Sequence, residues 1–146
     1  EENADFATAL RGFSWPGYFV KDYVKSLSTG AGSLVQTTEE ISRVVSQLKK
    51  YRGEVEGGVC VRRREDYAPN SERRYFVAGG RAFSFTGDVP AAVAACVPLI
   101  QSPFFSVDTA VRVDGVLRIV EVGDGQVSDR KEWSAEKLVE VLEHVG

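Results

Sequence analysis

The stretch Phe104-Phe-Ser-Val-Asp-Thr-Ala-Val-Arg-Val-Asp-Gly-Val-Leu-Arg-Ile-Val-Glu-Val122 has two runs rich in β-branched residues on either side of Asp114-Gly115. Asp-Gly between two such runs is a strong signal for a β-hairpin with a two-residue turn. That turn places Asp108 directly opposite Glu121 on the neighbouring strand. The other side of the hairpin is apolar, which gives it a surface to bury, and carries Val107, Thr109, Val111, Val113, Val116, Val120 and Val122.

The pairing of Asp108 with Glu121 predicts a site that needs positive charge. Directly opposed side chains have Cβ atoms about 4.5–5.5 Å apart, and like charges there destabilise the sheet. A shared proton or a cation relieves the repulsion. Oxygen ligands from few residues suit Mg²⁺ or Mn²⁺, and Asp124, just past the strand, is a third candidate ligand. The alternative is that Asp108 points into solvent while Glu121 pairs with Arg112 or Arg118.

The rest of the chain predicts further hairpins and amphipathic helices, and therefore an α+β fold with antiparallel sheets. Residues 17–24 read as a strand, and Thr37 with Glu40 forms a capping box that begins a helix ending near Gly53. Residues 58–63 read as a second strand. Residues 73–86 form a hairpin around Gly79-Gly80. A last helix begins after Ser134.

Composition excludes several classes of protein. The chain has 146 residues, 43% hydrophobic and 27% charged, with a net charge of -3, which is ordinary for a folded protein and too balanced for nonspecific duplex binding. No segment reaches the roughly 20 apolar residues of a membrane span. Two cysteines and one histidine leave little material for a disulfide framework, a zinc site or a Ser-His-Asp mechanism. We expect a reducing, cytoplasmic setting.

Two other regions are candidates for binding anions. Lys21 and Lys25 lie on one face of the first predicted strand, just before a glycine-bearing loop that contains Gly30, Gly32 and Ser33. Backbone amides and an ammonium group both suit phosphate oxygens, although such a loop is more often a plain connection. Glu72 and Arg74 share one face of the next hairpin. They are either a surface ion pair or a carboxylate for a sugar hydroxyl beside a guanidinium for a phosphate.

Taken in order, these segments resemble the ATP-grasp fold. Pro16-Gly-Tyr-Phe-Val-Lys-Asp22 is similar to the strand whose lysine contacts nucleotide phosphates, and residues 28–33 are similar to the glycine loop that closes over them. Residues 59–65 resemble the strand beside the adenine, which makes Arg62 and Glu65 cofactor-binding candidates. Ser71-Glu-Arg-Arg-Tyr-Phe-Val77 resembles the family's Glu-x-Arg strand, with Glu72 near the ribose. The strands with Asp108 and Glu121 resemble the metal-binding pair.

The closest resemblance is to a divergent, largely uncharacterised ATP-grasp clade marked by functional arginines and a lysine. Two positions depart from the family pattern. The usual Glu-x-Asn metal motif reads Glu121-Val-Gly123, so Asp124 is the candidate replacement for the asparagine. Ser106 stands where many relatives have an arginine, so Arg74 or Arg62 would supply that positive charge.

The resemblance implies two antiparallel-sheet lobes with flanking helices and a nucleotide site between them. Residues 1–57 would form the small nucleotide-binding lobe, and residues 58–146 the larger lobe. The chain lacks methionine even at position 1, and we expect that an N-terminal substrate domain belongs upstream.

The implied activity is that of an ATP-dependent carboxylate–amine ligase that uses ATP and Mg²⁺, or Mn²⁺, and works through an acylphosphate. Arg74 would be catalytic. The partners of the protein would be ATP and small-molecule or peptide acids and amines. Two rivals remain. One is a non-catalytic nucleotide- or protein-binding module with a degenerate site. The other is RNA binding through residues 62–64 with Tyr67 and Tyr75.

Overall fold

The computed structural model describes residues 5–22, 33–53, 55 and 57–145. The chain divides into two compact units, Glu1–Glu65 and Asp66–Gly146. In the described residues, each unit contains an antiparallel sheet with accompanying helices. The predicted α+β class is therefore confirmed.

The first unit consists of α1 (Phe6–Leu10), β1 (Tyr18–Asp22), β2 (Leu34–Val35), α2 (Thr38–Arg52) and β3 (Val59–Arg63). Its sheet has the order β2-β1-β3, with β1 antiparallel to both neighbours. The predicted capping box at the start of α2 is confirmed, since the Thr37 hydroxyl accepts from the Glu40 amide and the Glu40 carboxylate accepts from the Thr37 amide. The apolar face of α2 packs on the sheet through Tyr18, Val20, Val35, Ile41, Val44 and Leu48.

The second unit consists of β4 (Arg73–Ala78), β5 (Arg81–Ser84), α3 (Ala91–Cys96), a 3₁₀ turn (Val97–Leu99), β6 (Phe104–Val111), β7 (Leu117–Asp124) and α4 (Ala135–Leu142). Its sheet has the order β5-β4-β6-β7. The predicted hairpin of β4 and β5 is confirmed, because Ala78 pairs with Arg81 around Gly79 and Gly80. Both glycines have positive φ angles, which a two-residue hairpin turn requires.

The two faces of the second sheet bury different clusters. One face packs against α3 and contains Tyr75, Val77, Val93, Phe105 and Val107. The other face packs against α4 and contains Phe76, Ala78, Phe104, Trp133 and Val141. Strand periodicity explains the division, since alternate residues point to opposite sides of a sheet. Arg74, Ser106 and Asp108 occupy alternate positions of β4 and β6, on the α4 side.

The turn between β6 and β7 differs from the prediction. Val111 pairs with Leu117, and the Arg112 amide donates to the Val116 carbonyl at 2.8 Å, so the loop has three residues, Val113–Gly115. Farther from the turn, the register shifts between Asp108 and Thr109. The extra residue is Val120, since Thr109 pairs with Ile119 and Asp108 with Glu121. The predicted pairing of Asp108 with Glu121 is confirmed, but the two-residue turn was wrong.

The same register shift corrects the predicted apolar face near the turn. Leu117 and Ile119 lie opposite Val111 and Thr109, so these two residues, rather than Val116 and Val120, share that face of the hairpin. Ile119 packs against the α3-side cluster. Val116 is 43% exposed. A three-residue loop moves every side chain on the turn-proximal half of β7 to the other face, and the bulge at Val120 reverses that change.

The two units meet in sequence between Glu65 and Asp66, whereas the sequence predicted a division between 57 and 58. The reason is that β3 pairs with β1 along five positions, from Tyr18 with Arg63 to Asp22 with Val59. The strand that was assigned to the larger lobe thus belongs to the first sheet. Within the described ranges, no helix combines the length and apolarity that crossing a membrane requires.

Candidate functional site

A buried arginine–aspartate pair lies at the centre of the second unit's candidate site. Arg74 on β4 pairs in register with Asp108 on β6, so both side chains leave the same face of the sheet. Arg74 Nε donates to Asp108 Oδ1 at 2.7 Å, and Arg74 Nη2 donates to Asp108 Oδ2 at 2.6 Å. The two side chains are 8% and 1% exposed. The alternative in which Asp108 points into solvent is therefore wrong.

The loop that follows β7 closes over this pair. Arg74 Nη1 donates to the Asp129 carbonyl at 2.7 Å and to its Oδ1 at 3.0 Å. The Arg74 backbone amide donates to Glu132 Oε1 at 3.0 Å, and Trp133 Nε1 donates to the Arg74 carbonyl at 2.9 Å. Trp133 also packs edge-on against Phe76, with ring centroids 5.3 Å apart. The side chain and the backbone of Arg74 are thus both held by one loop.

A second cation, Lys131, reaches the same carboxylate. Lys131 Nζ donates to Asp108 Oδ2 at 2.8 Å and also to Glu72 Oε1. The ammonium therefore bridges a buried carboxylate and a carboxylate at the protein surface, since Glu72 is 55% exposed. Glu72 immediately precedes β4, so its position beside Lys131 follows from the same strand that carries Arg74.

These contacts set the charge states of the cluster. Burial alone raises the pKa of Asp108, but hydrogen bonds from Arg74 and Lys131 outweigh it and hold the pKa below its ordinary value. Burial disfavours the charged form of Lys131, yet its bonds to Asp108 and Glu72 raise its pKa above the ordinary value. The bond to Asp108 raises the pKa of Arg74, and the nearby charge of Glu121 adds to that effect. Asp108 is a carboxylate and both bases are cations at neutral pH.

The structure brings together two of the three predicted metal ligands. Asp108 and Glu121 are directly paired on neighbouring strands, and Glu121 is exposed. Asp124 is three positions along β7 and so faces the other side of the sheet, where its Oδ1 accepts from the Gln126 amide at 2.9 Å. In the part of the chain that the structure describes, no three His, Cys, Asp or Glu side chains group closely enough to hold a metal ion.

The chemistry of Asp108 and Glu121 nevertheless fits Mg²⁺. Magnesium is held in proteins by one or two carboxylates, and substrate phosphates and water complete its coordination. Two hard oxygen donors from paired positions match that requirement, although Asp108 is shared with Arg74 and Lys131. Asp108 and Glu121 are therefore the residues of this unit that would hold the ion.

Two serine hydroxyls occupy the space beside Gly123, where the family pattern has asparagine. A Cβ added at Gly123 would lie 3.1 Å from Ser106 Oγ and 3.3 Å from Ser128 Oγ. The two hydroxyls are hydrogen-bonded to each other at 2.7 Å, and Ser128 Oγ donates to the Asp124 carbonyl at 2.8 Å. A side chain at 123 would crowd this pair, and the hydroxyls would have to shift by a few tenths of an ångström, so the glycine and the two serines form one packing arrangement.

In the first unit, Lys21 and Arg62 share a face of the sheet. Lys21 pairs with Cys60 and Phe19 pairs with Arg62, which places all four side chains on the side away from the buried Val20. The Arg62 guanidinium lies over the Phe19 ring, 5.7 Å from its centroid. Two predicted cofactor-binding residues, Lys21 and Arg62, thus form a basic face next to an aromatic ring.

The other predicted residues of the first unit have different outcomes. Ser33 lies just before β2, is 5% exposed, and has a buried hydroxyl without a hydrogen-bond partner among the described residues. Its carbonyl accepts from the Val20 amide at 2.7 Å. Glu65 is half-buried two residues after β3. Lys25, Gly30 and Gly32 lie outside the described residues.

Comparison with known protein families identifies the family to which this chain belongs. A family model described as an ATP-grasp domain, family 3 of the clade marked by arginines and a lysine, matches residues 11–142. The chain therefore belongs to the ATP-grasp family, and within it to family 3 of that clade. No curated protein matches the chain significantly. ATP-grasp domains generally belong to ligases and typically use ATP and Mg²⁺.

Sequence reasoning missed Lys131, Asp129 and Trp133. Asp129 and Lys131 stand in the run Asp129-Arg-Lys-Glu132, and a run of charged residues is usually a solvated turn. Lys131 has a φ angle of 45°, and its amide donates to Asp129 Oδ1 at 3.1 Å. A left-handed lysine is uncommon, and nothing in the local pattern predicts it. The nearest sequence signal is Trp133, whose large buried ring anchors the loop to β4.

Proposed function

We propose that this chain is the nucleotide-binding part of an ATP-dependent ligase that joins a carboxylic acid to an amine or a similar nucleophile. The observation that carries the proposal is the direct pairing of Asp108 with Glu121, with Arg74 held on Asp108 by two hydrogen bonds. Membership of the ATP-grasp family supports an ATP-dependent ligase-type fold. The acid and the nucleophile are small molecules or peptides.

The reaction proceeds in two steps that share one intermediate. An oxygen of the substrate carboxylate attacks the γ-phosphorus of ATP, the bond to the β–γ bridging oxygen breaks, and ADP leaves with that electron pair. The product is an acylphosphate. The amine nitrogen then attacks the acyl carbon, phosphate leaves, and the amine loses a proton, which yields an amide. Magnesium, when bound, neutralises charge on the β- and γ-phosphates.

Different residues of the chain would bind the phosphates, hold the metal ion and position the Asp108 carboxylate. Lys21 and Arg62 offer cationic groups to phosphate oxygens from one face of the first unit's sheet. Asp108 and Glu121 provide the oxygen donors for the ion. Arg74 keeps Asp108 ionised and fixes the direction of its carboxylate, because its guanidinium makes two parallel bonds in a single plane. Its proposed role is therefore to position Asp108, in place of the catalytic role that the resemblance implied.

The hydrogen bonds of Asp108 also favour a second candidate, a nucleotide-binding module that catalyses no reaction. Both oxygens of Asp108 already accept hydrogen bonds from Arg74 and Lys131. Glycine also replaces the family's asparagine at position 123. A module of this kind would bind ATP and release no ADP, so turnover separates it from a ligase.

An isotope experiment tests the proposed function. The longest natural form of the protein is incubated with Mg-ATP and panels of amino acids, peptides and other acids, and ADP and phosphate are measured. An active acid is then supplied with ¹⁸O in its carboxylate. The proposal expects ADP release that needs the acid, and one ¹⁸O atom in the released phosphate. ATP binding without ADP release supports the module, and AMP with pyrophosphate contradicts the acylphosphate route.

A further inference from the structure

The ammonium group of Lys131 lies between two carboxylates, those of Asp108 and Glu72. Its Nζ lies 2.8 Å from Asp108 Oδ2 and also donates to Glu72 Oε1. Asp108 is 1% exposed, so its negative charge requires compensation inside the protein. Arg74 compensates it from within the sheet, and Lys131 approaches through the loop after β7. Glu72 balances the additional positive charge.

The backbone directs the Lys131 side chain toward Asp108. Lys131 has a φ of 45°, a left-handed conformation that costs energy for a residue with a side chain. The turn is maintained by Asp129, whose Oδ1 accepts from the Lys131 amide at 3.1 Å. Trp133 fixes the other end, since its amide donates to the Arg130 carbonyl and its indole to the Arg74 carbonyl. A strained residue that a surrounding network maintains is often a functional one.

The contacts of Lys131 conflict with a metal ion on Asp108. Asp108 Oδ2 accepts from both Arg74 Nη2 and Lys131 Nζ, while Oδ1 accepts from Arg74 Nε. A carboxylate has about four lone-pair positions, so little acceptor capacity remains. A divalent ion on this carboxylate would also stand beside two positive charges. Lys131 is the movable one, since its side chain is 27% exposed, against 8% for Arg74.

We propose that Lys131 is a built-in counter-cation that occupies Asp108 in the metal-free protein and leaves it when a divalent ion binds. This inference rests on the proposed function, because it assumes that Asp108 and Glu121 hold the ion. Lys131 thereby lowers the affinity of the protein for free metal. A phosphate oxygen is a suitable new partner for its ammonium, so the metal binds best together with a nucleotide.

Manganese titration followed by electron paramagnetic resonance tests the inference without any turnover. Free Mn²⁺ is measured with the wild-type protein and with Lys131→Met, Lys131→Gln and Lys131→Arg, all without nucleotide. We expect Lys131→Met and Lys131→Gln to bind Mn²⁺ about tenfold more tightly or better, because one unit charge at contact distance is removed. Lys131→Arg keeps the charge and the low affinity.

Arg130→Met is the matched control. It removes one positive charge from the adjacent exposed residue, which lies near Glu136 instead of Asp108. Its Mn²⁺ affinity should stay within about twofold of wild type, since exposed charges are strongly screened. Unchanged or weaker Mn²⁺ binding in folded Lys131→Met and Lys131→Gln would overturn the inference, as would equal tightening in Arg130→Met. Circular dichroism establishes that each variant is folded.

The same titration with ATP separates this inference from the proposed function. Wild-type protein that binds Mn-ATP, together with Lys131 variants that gain no affinity for free Mn²⁺, contradicts the role of Lys131 alone. Wild-type protein that binds ATP equally well with and without Mn²⁺, and takes up no Mn²⁺, contradicts both. Tighter binding of free Mn²⁺ in the neutral variants, with Mn-ATP bound by wild type, supports both.

Discussion

The Arg74 guanidinium and the Asp108 carboxylate form two parallel hydrogen bonds, 2.7 and 2.6 Å long, across neighbouring strands of the second sheet. A planar fork on a planar carboxylate fixes the direction of both groups, which a single contact does not. Because the pair is buried, each partner also stabilises the other against the cost of losing water. The fold and the candidate site therefore depend on the same two residues.

Arg74→Met should destabilise the second unit by about 3–5 kcal/mol, because it leaves Asp108 buried with half of its positive partners removed. The measurement is urea unfolding followed by tryptophan fluorescence in a Trp15→Phe background, which leaves Trp133 as the reporter of the second unit. Arg73→Met is the matched control, since Arg73 is the exposed neighbour on β4 and its Nη1 donates to the backbone carbonyls of Asn70 and Glu72. A loss in Arg74→Met no larger than that of Arg73→Met would contradict the account.

Acid should destabilise the folded protein by protonating Asp108. The pKa of Asp108 is lower in the folded protein than its ordinary value of 3.8, so the folded state favours the carboxylate. Its contribution to stability is complete above pH about 4–5 and is lost as pH falls through the folded pKa. The groups facing it are Arg74, Lys131 and Glu121.

The check is to compare wild type with Asp108→Asn over pH 2–7 in metal-free buffer. The difference in unfolding free energy should be largest near neutral pH and should narrow below pH about 4, because wild type then loses its charge as well. A difference that stays constant, or widens in acid, would show that Asp108 is not preferentially ionised in the fold.

Lys21→Ala should weaken ATP binding by about tenfold or more, since a charge-assisted bond to a phosphate contributes about 1.5–3 kcal/mol. Lys50→Ala is the control, because Lys50 is an exposed lysine on α2 and its loss removes the same charge from the first unit. Isothermal titration calorimetry measures both. Equal affinities in wild type and Lys21→Ala would exclude a phosphate contact for this lysine.

Restoring the family's asparagine should be harmful in this chain. Gly123→Asn places a Cβ within 3.1 Å of Ser106 Oγ and 3.3 Å of Ser128 Oγ, and we expect a loss of about 1–3 kcal/mol from overpacking. Adding Ser106→Ala should recover part of that loss, because it removes the closer oxygen. Gly12→Asn has open space and is the control in thermal unfolding. A fully stable Gly123→Asn would contradict the packing argument.

The hairpin of β6 and β7 shows how much of the strand pairing could be predicted from the sequence. Two-strand periodicity and Asp114-Gly115 located the hairpin and paired Asp108 with Glu121 correctly. The turn itself has one residue more than predicted, and the bulge at Val120 offsets it. Bulges have no reliable signature in a run of valine and isoleucine, so the pairing was predicted correctly through two departures that cancel.

The loop over the site was beyond prediction for another reason. Lys131 reaches Asp108 because its backbone is left-handed and because Trp133 binds the Arg74 carbonyl, a residue 59 positions earlier. The bond from Lys131 to Asp108 and the bond from Trp133 to Arg74 each join residues that are far apart in the sequence. Charged residues in a turn usually face solvent. The family resemblance pointed to the two strands but not to the loop that supplies the second cation. Asp124 was misjudged as a partner because an odd spacing along a strand changes the face.

The most direct test of the central claim is ATP turnover by Glu121→Gln at saturating Mg²⁺, compared with Asp124→Asn. The asparagine side chain in this control would keep an oxygen for the Gln126 amide, and position 124 lies on the other face, so a charge is removed without touching the paired carboxylates. We predict that Glu121→Gln folds normally but loses Mg²⁺-dependent ADP release by about 100-fold or more, while Asp124→Asn keeps it. Full activity in Glu121→Gln, or equal loss in both variants, would contradict the assignment of Asp108 and Glu121 as the metal-binding pair.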